Sequence, residues 1–300
     1  MSGARRRDAR SISEEMRMEI NKVLIVGAGV MGSGIAQVFA TPGYSVLLME
    51  VSEEAALKGL DAVGKSLERA VEKGKIDAGQ KGEILGRITS SADWEKGGEA
   101  DFVVEAVFED AEIKKDIFRK LDEVCRPGVI ITTNTSSLPV TPIAAATGRP
   151  DKVMGMHFFN PAPAMKLVEL IRGQLTSDET SRTVFELTKK LGKTPVEVND
   201  WPGFAMSRIF IVMINEAIFC LYEGVGSPEA IDEVMKLGAG HPMGPLQVAD
   251  LLGLDIVLHI IDVLYKEFGD SKYRACPLLR KMVSAGQLGK KTGQGFYSYR

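Results

Sequence analysis

The chain has 300 residues, of which 45% are hydrophobic and 26% charged, and its net charge is −3. These values are typical of an ordinary globular protein that can bury the core of one large domain or two ordinary ones. The small negative charge argues against a nucleic-acid partner, because no overall positive field attracts a phosphate backbone. Cys125, Cys220 and Cys276 are odd in number and lack metal-ligand spacing. They indicate a reducing compartment with neither a disulfide framework nor a metal site.

The first 21 residues are predicted to be a disordered N-terminal extension. They are rich in arginine but lack the apolar centre of a secretory signal, and their acidic residues argue against a mitochondrial presequence. The longest apolar run, "IFIVMI" at 209–214, is much shorter than the roughly 20 residues that a membrane span needs. We therefore expect a cytoplasmic protein with no membrane partner.

Strands and helices alternate along residues 22–200. The continuous apolar runs "KVLIVG", "YSVLLME", "DFVVEAV" and "GVIITTN" are separated by helical stretches. This pattern is typical of a parallel sheet that helices cover on both faces. Three further strands, "KVMGMHFF", "MKLVELI" and "KTPVEV", follow with shorter connections. The sequence predicts an α/β fold, with a Rossmann-type, mostly parallel sheet domain over residues 22–200.

A smaller all-α domain is predicted over residues 201–300. The segment "NDWPGFAMSR" interrupts the strand pattern, and mainly helical patterns follow it. Ser227 and Pro228 form a good helix start, and Gly238 is placed to end that helix.

The segment "GAGVMG" predicts a dinucleotide-binding loop. Gly27, Gly29 and Gly32 have the G-x-G-x-x-G spacing between a strand and a helix, and Glu50 ends the next strand. Glycines allow a tight turn and a close approach of a pyrophosphate to the backbone N–H groups at the helix start. An acidic residue in the position of Glu50 accepts from ribose hydroxyls and repels a 2'-phosphate, which favours NAD over NADP. Val30 and Met31 complete the predicted cofactor-binding loop; the alternative is a purely structural turn.

His157 and Glu169 are a candidate catalytic pair. His157 ends a predicted strand, and ligands of doubly wound sheets bind at the carboxyl ends of the strands. Alternation along "MKLVELI" places Glu169 between two aliphatic side chains, where a carboxylate needs a partner. A reverse turn through "NPAPA" brings it within reach of His157, which then acts as a general base. A structural buried pair is the alternative. His241 in a Gly/Pro-rich loop and His259 on an apolar helix favour structural roles, His259 in a core or an interface.

Polar residues follow two other strands. Asn134, Ser136 and Ser137 lie at the end of "GVIITTN", where capping of the next helix is the alternative to a ligand contact. Glu105 and Glu109 lie at the end of "DFVVEAV", where a solvated helix start is the alternative.

These motifs resemble the 3-hydroxyacyl-CoA dehydrogenase family, which includes short-chain 3-hydroxybutyryl-CoA dehydrogenases. The resemblance covers nearly all of residues 22–300 and rests on "GAGVMGSGIA", "VVEAVFED", "NTSSL", "HFFNPAPAMKLVEL", "DWPGFAMSR", "MKLGAGHPMGPLQVADLLGLD" and "GKKTGQGFY". It implies NAD-dependent, reversible oxidation of an L-3-hydroxyacyl-CoA to the 3-ketoacyl-CoA. It also implies a homodimer formed through the helical domain, which caps the acyl pocket.

The resemblance implies roles for individual residues. His157 matches the catalytic base and Glu169 the carboxylate that orients it. Ser137 matches the residue that hydrogen-bonds the substrate oxygen, and Asn160 matches the neighbouring amide of the site. The matches at the cofactor are Glu109, Lys114 and Asn134. The matches at coenzyme A are Ser66 and Lys73.

One position departs from the family pattern. The family has asparagine in "PGF-x-x-N-R", whereas this chain has Ser207. The shorter serine offers one hydroxyl in place of an amide near the substrate. Oxidation of a free 3-hydroxy acid such as a sugar acid therefore stays open. A non-catalytic NADH-binding protein, like the lens crystallins related to this family, is the other alternative.

Overall fold

The chain forms two compact units in a computed structural model that describes residues 19–299. Among the described residues, one unit contains 19–134 together with Val140–Glu197, and the other contains Thr135–Pro139 together with 198–299. Each unit buries an apolar cluster of its own. The predicted extension over residues 1–21 lies almost entirely outside the described residues.

The first unit is built on an eight-stranded sheet. Its strands are β1 (Lys22–Val26), β2 (Ser45–Met49), β3 (Ile88–Ser91), β4 (Phe102–Glu105), β5 (Ile130–Thr133), β6 (Val153–Phe158), β7 (Leu167–Arg172) and β8 (Thr194–Asn199). Their order across the sheet is β3-β2-β1-β4-β5-β6-β7-β8. Every pairing from β3 to β6 is parallel, and β6 pairs antiparallel with β7. The predicted Rossmann-type, mostly parallel sheet is confirmed.

Helices connect the strands of this unit. They are α1 (Val30–Ala40), α2 (Glu53–Glu72), α3 (Ala78–Gly86), α4 (Ala111–Val124), α5 (Val140–Ala144) and α6 (Asp178–Lys190). Side-chain caps start four of them. Ser52, Asp110 and Ser177 accept hydrogen bonds from the first-turn N–H groups of α2, α4 and α6, and Asp77 does the same for α3.

The sequence patterns do not predict β3 and α3. β3 has the sequence "ITSS" and lies at the edge of the sheet beside β2, so it carries neither a long apolar run nor full burial. α3 begins with a capping box in which Asp77 and Gln80 bond reciprocally. That box is a sequence signature of a helix start.

The second unit is helical. Its helices are α7 (Met206–Tyr222), α8 (Pro228–Ala239), α9 (Pro245–Leu252), α10 (Leu254–Phe268) and α11 (Pro277–Ser284). Ser227 caps α8 as predicted. The predicted stop at Gly238 is wrong, because α8 continues to Ala239 and ends where Gly240 adopts a φ of 70°. Such a left-handed conformation costs glycine little.

Two buried aspartates anchor the C-terminal segment of the helical unit. Asp232 accepts hydrogen bonds from two N–H groups at the start of α9 and from the hydroxyl of Tyr297 (2.8 Å). Asp250, on α9, accepts from the N–H groups of Phe296 (3.0 Å) and Tyr297 (2.9 Å). Burial raises the pKa of the Asp250 carboxyl, although these N–H groups oppose the shift. Burial and the Asp250 carboxylate together raise the pKa of Tyr299 to about 12.

Two further expectations from the sequence concern His259 and membrane-spanning helices. His259 lies on α10 with an exposed side chain, so the expectation of a core position is wrong, while an interface role stays a prediction. In the part of the chain that the structure describes, no helix is both long enough and apolar enough to cross a membrane.

The close packing around Asp250 predicts that Gly295→Ala destabilises the protein. A Cβ built on Gly295 lies only 2.0 Å from Oδ1 of Asp250, and overpacking of this kind costs about 1–3 kcal/mol. Gly82 on α3 has open space around its Cβ position, so Gly82→Ala is the control and gains up to about 1 kcal/mol of helix propensity. Chemical denaturation measures both changes, and equal stability of the two variants would contradict the anchoring role of Asp250.

Candidate active site

The glycine loop between β1 and α1 leaves room for a phosphate. Gly27 has a φ of 99°, and a Cβ there meets the carbonyl oxygen of Ala106 at 2.5 Å. A Cβ on Gly32 meets the carbonyl oxygen of Gly27 at 1.7 Å. Nothing lies within 4 Å of a Cβ on Gly29, the N-cap residue of α1. The loop is thus tightly packed on its inner side and open at the helix start, which fits a pyrophosphate.

Glu50 lies beside this loop at the end of β2. The N–H of Ala28 donates to its Oε1 and the N–H of Val51 to its Oε2, both at 2.9 Å. Each carboxylate oxygen can accept more than one hydrogen bond, so both retain capacity for a ribose diol. The side chain is half-buried and therefore accessible to a ligand.

His157 and Glu169 are cross-strand neighbours. They occupy paired positions in the antiparallel β6–β7 ladder, and Nδ1 of His157 lies 3.1 Å from Oε2 of Glu169. Their exposed fractions are only 5% and 2%. The contact that the strand alternation predicts is confirmed. A buried carboxylate of this kind is stable only with hydrogen-bond partners, and His157 is one of them.

Neighbouring groups fix the end of β6. The N–H of Phe158 donates to the side-chain oxygen of Asn134 (2.8 Å), and the N–H of Asn134 donates to the carbonyl of Glu105 (2.7 Å). The ring of Phe159 lies 4.4 Å from that of His157 between centroids. Asn134, predicted to contact the cofactor, thus links the carboxyl ends of β4, β5 and β6.

A buried ionic cluster lies at the end of β4. Nζ of Lys114, on α4, is 2.7 Å from Oε1 of Glu105 and 3.4 Å from Oε2 of Glu109. The Thr133 hydroxyl and the Val107 N–H also donate to the Glu105 carboxylate. Glu105 is 0% and Lys114 1% exposed, so this ion pair is shielded from water.

The interpretation of Glu105 as part of a solvated helix start is wrong. Its carboxylate lies in the interior because α4 supplies Lys114, β5 supplies the Thr133 hydroxyl and the segment after β4 supplies the Val107 N–H. The sequence signal was a glutamate that directly follows the apolar run "FVV", nine residues before a lysine. Glu109 is 22% exposed on its side chain and lies at the outer end of the cluster.

The remaining predicted residues differ in accessibility. Ser137 is completely buried, whereas Ser136 is half-buried. Ser207 is buried in the first turn of α7. Asn160 is exposed and lies just after β6. In α1, Val30 is exposed and Met31 is half-buried. On α2, Ser66 is half-buried, and Lys73, the C-cap residue, is exposed.

Two of the three cysteines, Cys125 and Cys276, are buried. Burial raises the pKa of the Cys276 thiol and raises that of Cys125 to about 11, so both remain protonated at neutral pH. Among residues 19–299, no group of three or more His, Cys, Asp or Glu side chains is arranged to hold a metal ion.

Both units match models of one protein family. Residues 22–201 match the NAD binding domain of 3-hydroxyacyl-CoA dehydrogenase, and residues 203–299 match its C-terminal domain.

Relatives and a solved structure agree with this match. A Bacillus subtilis protein described as "Probable 3-hydroxybutyryl-CoA dehydrogenase" is 55% identical over 94% of this chain and 98% of its own length. The 3-hydroxybutyryl-CoA dehydrogenase of Clostridioides difficile is also 55% identical, over 93% and 99% of the two chains. The crystal structure of (S)-3-hydroxybutyryl-CoA dehydrogenase from Ralstonia eutropha is 48% identical with a TM-score of 0.91, covering 94% of this chain and 100% of that one. The chain therefore belongs to the 3-hydroxyacyl-CoA dehydrogenase family.

Proposed function

We propose that this protein catalyses the NAD-dependent, reversible oxidation of a short-chain L-3-hydroxyacyl-CoA, such as 3-hydroxybutyryl-CoA, to the 3-ketoacyl-CoA. The family match over both units and the names of the relatives support an NAD-dependent dehydrogenase. The single structural observation that carries the proposal is the buried contact between His157 and Glu169 at the carboxyl end of β6. Ligands of doubly wound sheets bind at these strand ends.

The residues around the glycine loop fit NAD. The open N-cap at Gly29 receives the pyrophosphate, and Glu50 accepts hydrogen bonds from the ribose hydroxyls. Bound NAD would supply the hydride acceptor for the oxidation at C3 of the substrate. The protein supplies a position for the nucleotide and an acceptor for the proton. Glu109 and Lys114 remain candidates for the cofactor side of the site, with Glu109 the more accessible of the two.

His157 is proposed to take the hydroxyl proton of the substrate. An ionised Glu169 can only accept hydrogen bonds, so Nδ1 of His157 carries its hydrogen toward the carboxylate. Nε2 then presents the lone pair that receives the proton. Glu169 stabilises the imidazolium that forms, and it orients the ring throughout the reaction.

Substrate contacts follow the family resemblance. Ser137 and Asn160 are assigned to the reacting end, with Ser66 and Lys73 assigned to coenzyme A. Because Ser137 is completely buried, we propose that the more accessible Ser136 shares the contact with the substrate oxygen. Ser207 takes the place of the family asparagine and offers a hydroxyl to the substrate or to a bridging water.

A homodimer through the helical unit is part of the proposal. Large apolar side chains are exposed on α7 and α8, including Ile209, Val234 and Leu237. An apolar cavity of about 400 Å³ lies between these two helices. Exposed apolar surface of this kind marks an interaction site, and the resemblance supplies a second copy of the chain as its occupant. The cysteine pattern supports a cytoplasmic location.

The proposal predicts rapid turnover of 3-ketobutyryl-CoA with NADH and little turnover of the free 3-keto acid. His157→Gln removes the proton donor of this reduction, so kcat falls about 10²–10⁴-fold while the Kd for NADH is unchanged. Absorbance of NADH measures turnover, and quenching of its fluorescence measures binding.

His259→Gln is the matched control, because His259 is exposed on α10, and it keeps wild-type kcat. Preferential turnover of the free acid would establish the sugar-acid alternative. Tight NADH binding without turnover of any acyl-CoA would establish the crystallin-like alternative. Normal turnover by His157→Gln would remove His157 from the mechanism.

Glu50→Ala is predicted to weaken NAD binding and to reduce discrimination against NADP. The variant loses the acceptor for the ribose hydroxyls and the charge that repels a 2'-phosphate. Titration with each dinucleotide gives the two Kd values, with Glu54→Ala on the exposed face of α2 as the control. An unchanged ratio of the NAD and NADP affinities would contradict the ribose assignment.

A further inference from the structure

We propose that Lys193 is a positioning residue, which holds the loop between β6 and β7 and thereby places Asn160 and the ends of the strands that carry His157 and Glu169. This inference rests on the proposed function, because it concerns the same site. The residue lies in the turn between α6 and β8, and the family resemblance assigns it no role.

The ammonium group of Lys193 donates hydrogen bonds to three carbonyls of this one loop. Nζ donates to the carbonyl oxygens of Ala162 (2.6 Å), Met165 (2.8 Å) and Pro163 (3.3 Å). A lysine ammonium has three N–H donors, so these contacts match its full donor capacity. All three acceptors are neutral carbonyl oxygens of the backbone. In the described contacts, the ammonium group therefore stabilises the backbone of the loop and does not neutralise a carboxylate.

The backbone of Lys193 is fixed at the same place. Its N–H donates to the carbonyl of Thr188 at the end of α6, and Gly192 before it adopts a φ of 71°. The N–H of Thr194 donates to the carbonyl of Lys166 (2.7 Å), the last residue before β7. The turn after α6 thus holds the loop by one backbone bond and by the three bonds of the ammonium group.

The loop also packs against the cofactor-binding helix. A Cβ built on Gly34 of α1 lies 3.2 Å from Cβ of Ala162 and 3.4 Å from Cδ of Pro163. Two of the three carbonyls that Lys193 binds, those of Ala162 and Pro163, therefore belong to residues that lie against α1 and closely follow Asn160. Release of these carbonyls removes restraint from the segment that joins His157 to Glu169.

Burial supports a specific role for this charge. Lys193 is half-buried, and burial lowers the pKa of its ammonium group below the ordinary lysine value. A buried charge costs stability unless hydrogen bonds satisfy it. A methionine of similar length keeps the apolar contacts of the stem and removes all three donors, so Lys193→Met isolates the contribution of the ammonium group.

The test measures loop exchange and turnover on the full chain. In Lys193→Met, we expect the non-proline backbone amides of residues 159–166 to exchange hydrogen at least tenfold faster than in the wild type. We expect kcat for 3-ketobutyryl-CoA, expressed per NADH-binding site, to fall about tenfold or more while the NADH Kd stays within twofold. Lys193→Arg retains cationic donors and restores a large part of kcat. Lys190→Met, on the exposed end of α6, is the matched control and leaves both measurements unchanged.

The outcomes separate this inference from the proposed function. Unchanged exchange in Lys193→Met overturns the inference, whether or not the protein reduces acyl-CoA substrates. Faster exchange with unchanged kcat also overturns it, since the loop then has no influence on the reaction. A wild-type protein that fails to reduce any 3-ketoacyl-CoA overturns the proposed function, whereas the exchange measurement still decides whether Lys193 holds the loop.

Discussion

The buried contact between His157 and Glu169 is the interaction on which the site depends. The two side chains lie 3.1 Å apart on paired positions of an antiparallel ladder, almost without exposure to solvent. Either polar group alone costs free energy in this position. Because the register of β6 and β7 fixes the pairing, a shift by one residue would send Glu169 to the opposite face of the sheet. The sheet therefore fixes which edge of the imidazole faces the carboxylate.

The parallel half of the sheet brings the other polar groups to the same edge. The glycine loop follows β1, Glu50 follows β2, and Glu105 ends β4 beside Asn134. The Glu105–Lys114 pair is shielded from water, so removal of one partner would leave an uncompensated charge. Hydrogen bonds through Asn134 then connect this cluster with the end of β6. Cofactor loop, ionic cluster and candidate base form one continuous arrangement within the first unit.

The pattern of apolar and polar residues along the sequence predicted much of this arrangement. The features that it did not predict depend on contacts between residues far apart in the sequence. Apolar runs predicted the parallel strands, and alternation with a reverse turn predicted that Glu169 meets His157. The short polar strand β3 was not predicted, because its residues have a weak strand pattern and are only partly buried at the sheet edge. The position of Glu105 directly after "FVV" signalled its burial, but its partners Lys114 and Thr133 come from α4 and β5, whose packing the local sequence does not encode. Lys193 binds backbone carbonyls, which leave no trace in residue type.

We propose that His157 and Glu169 act as one catalytic unit, and the decisive experiment is a double-mutant cycle on the single-turnover rate of hydride transfer. Glu169→Gln should slow the reaction strongly in the wild-type background and have little further effect in the presence of His157→Gln. If the rate effects of the two substitutions instead multiply, the two residues act independently and do not form one catalytic unit.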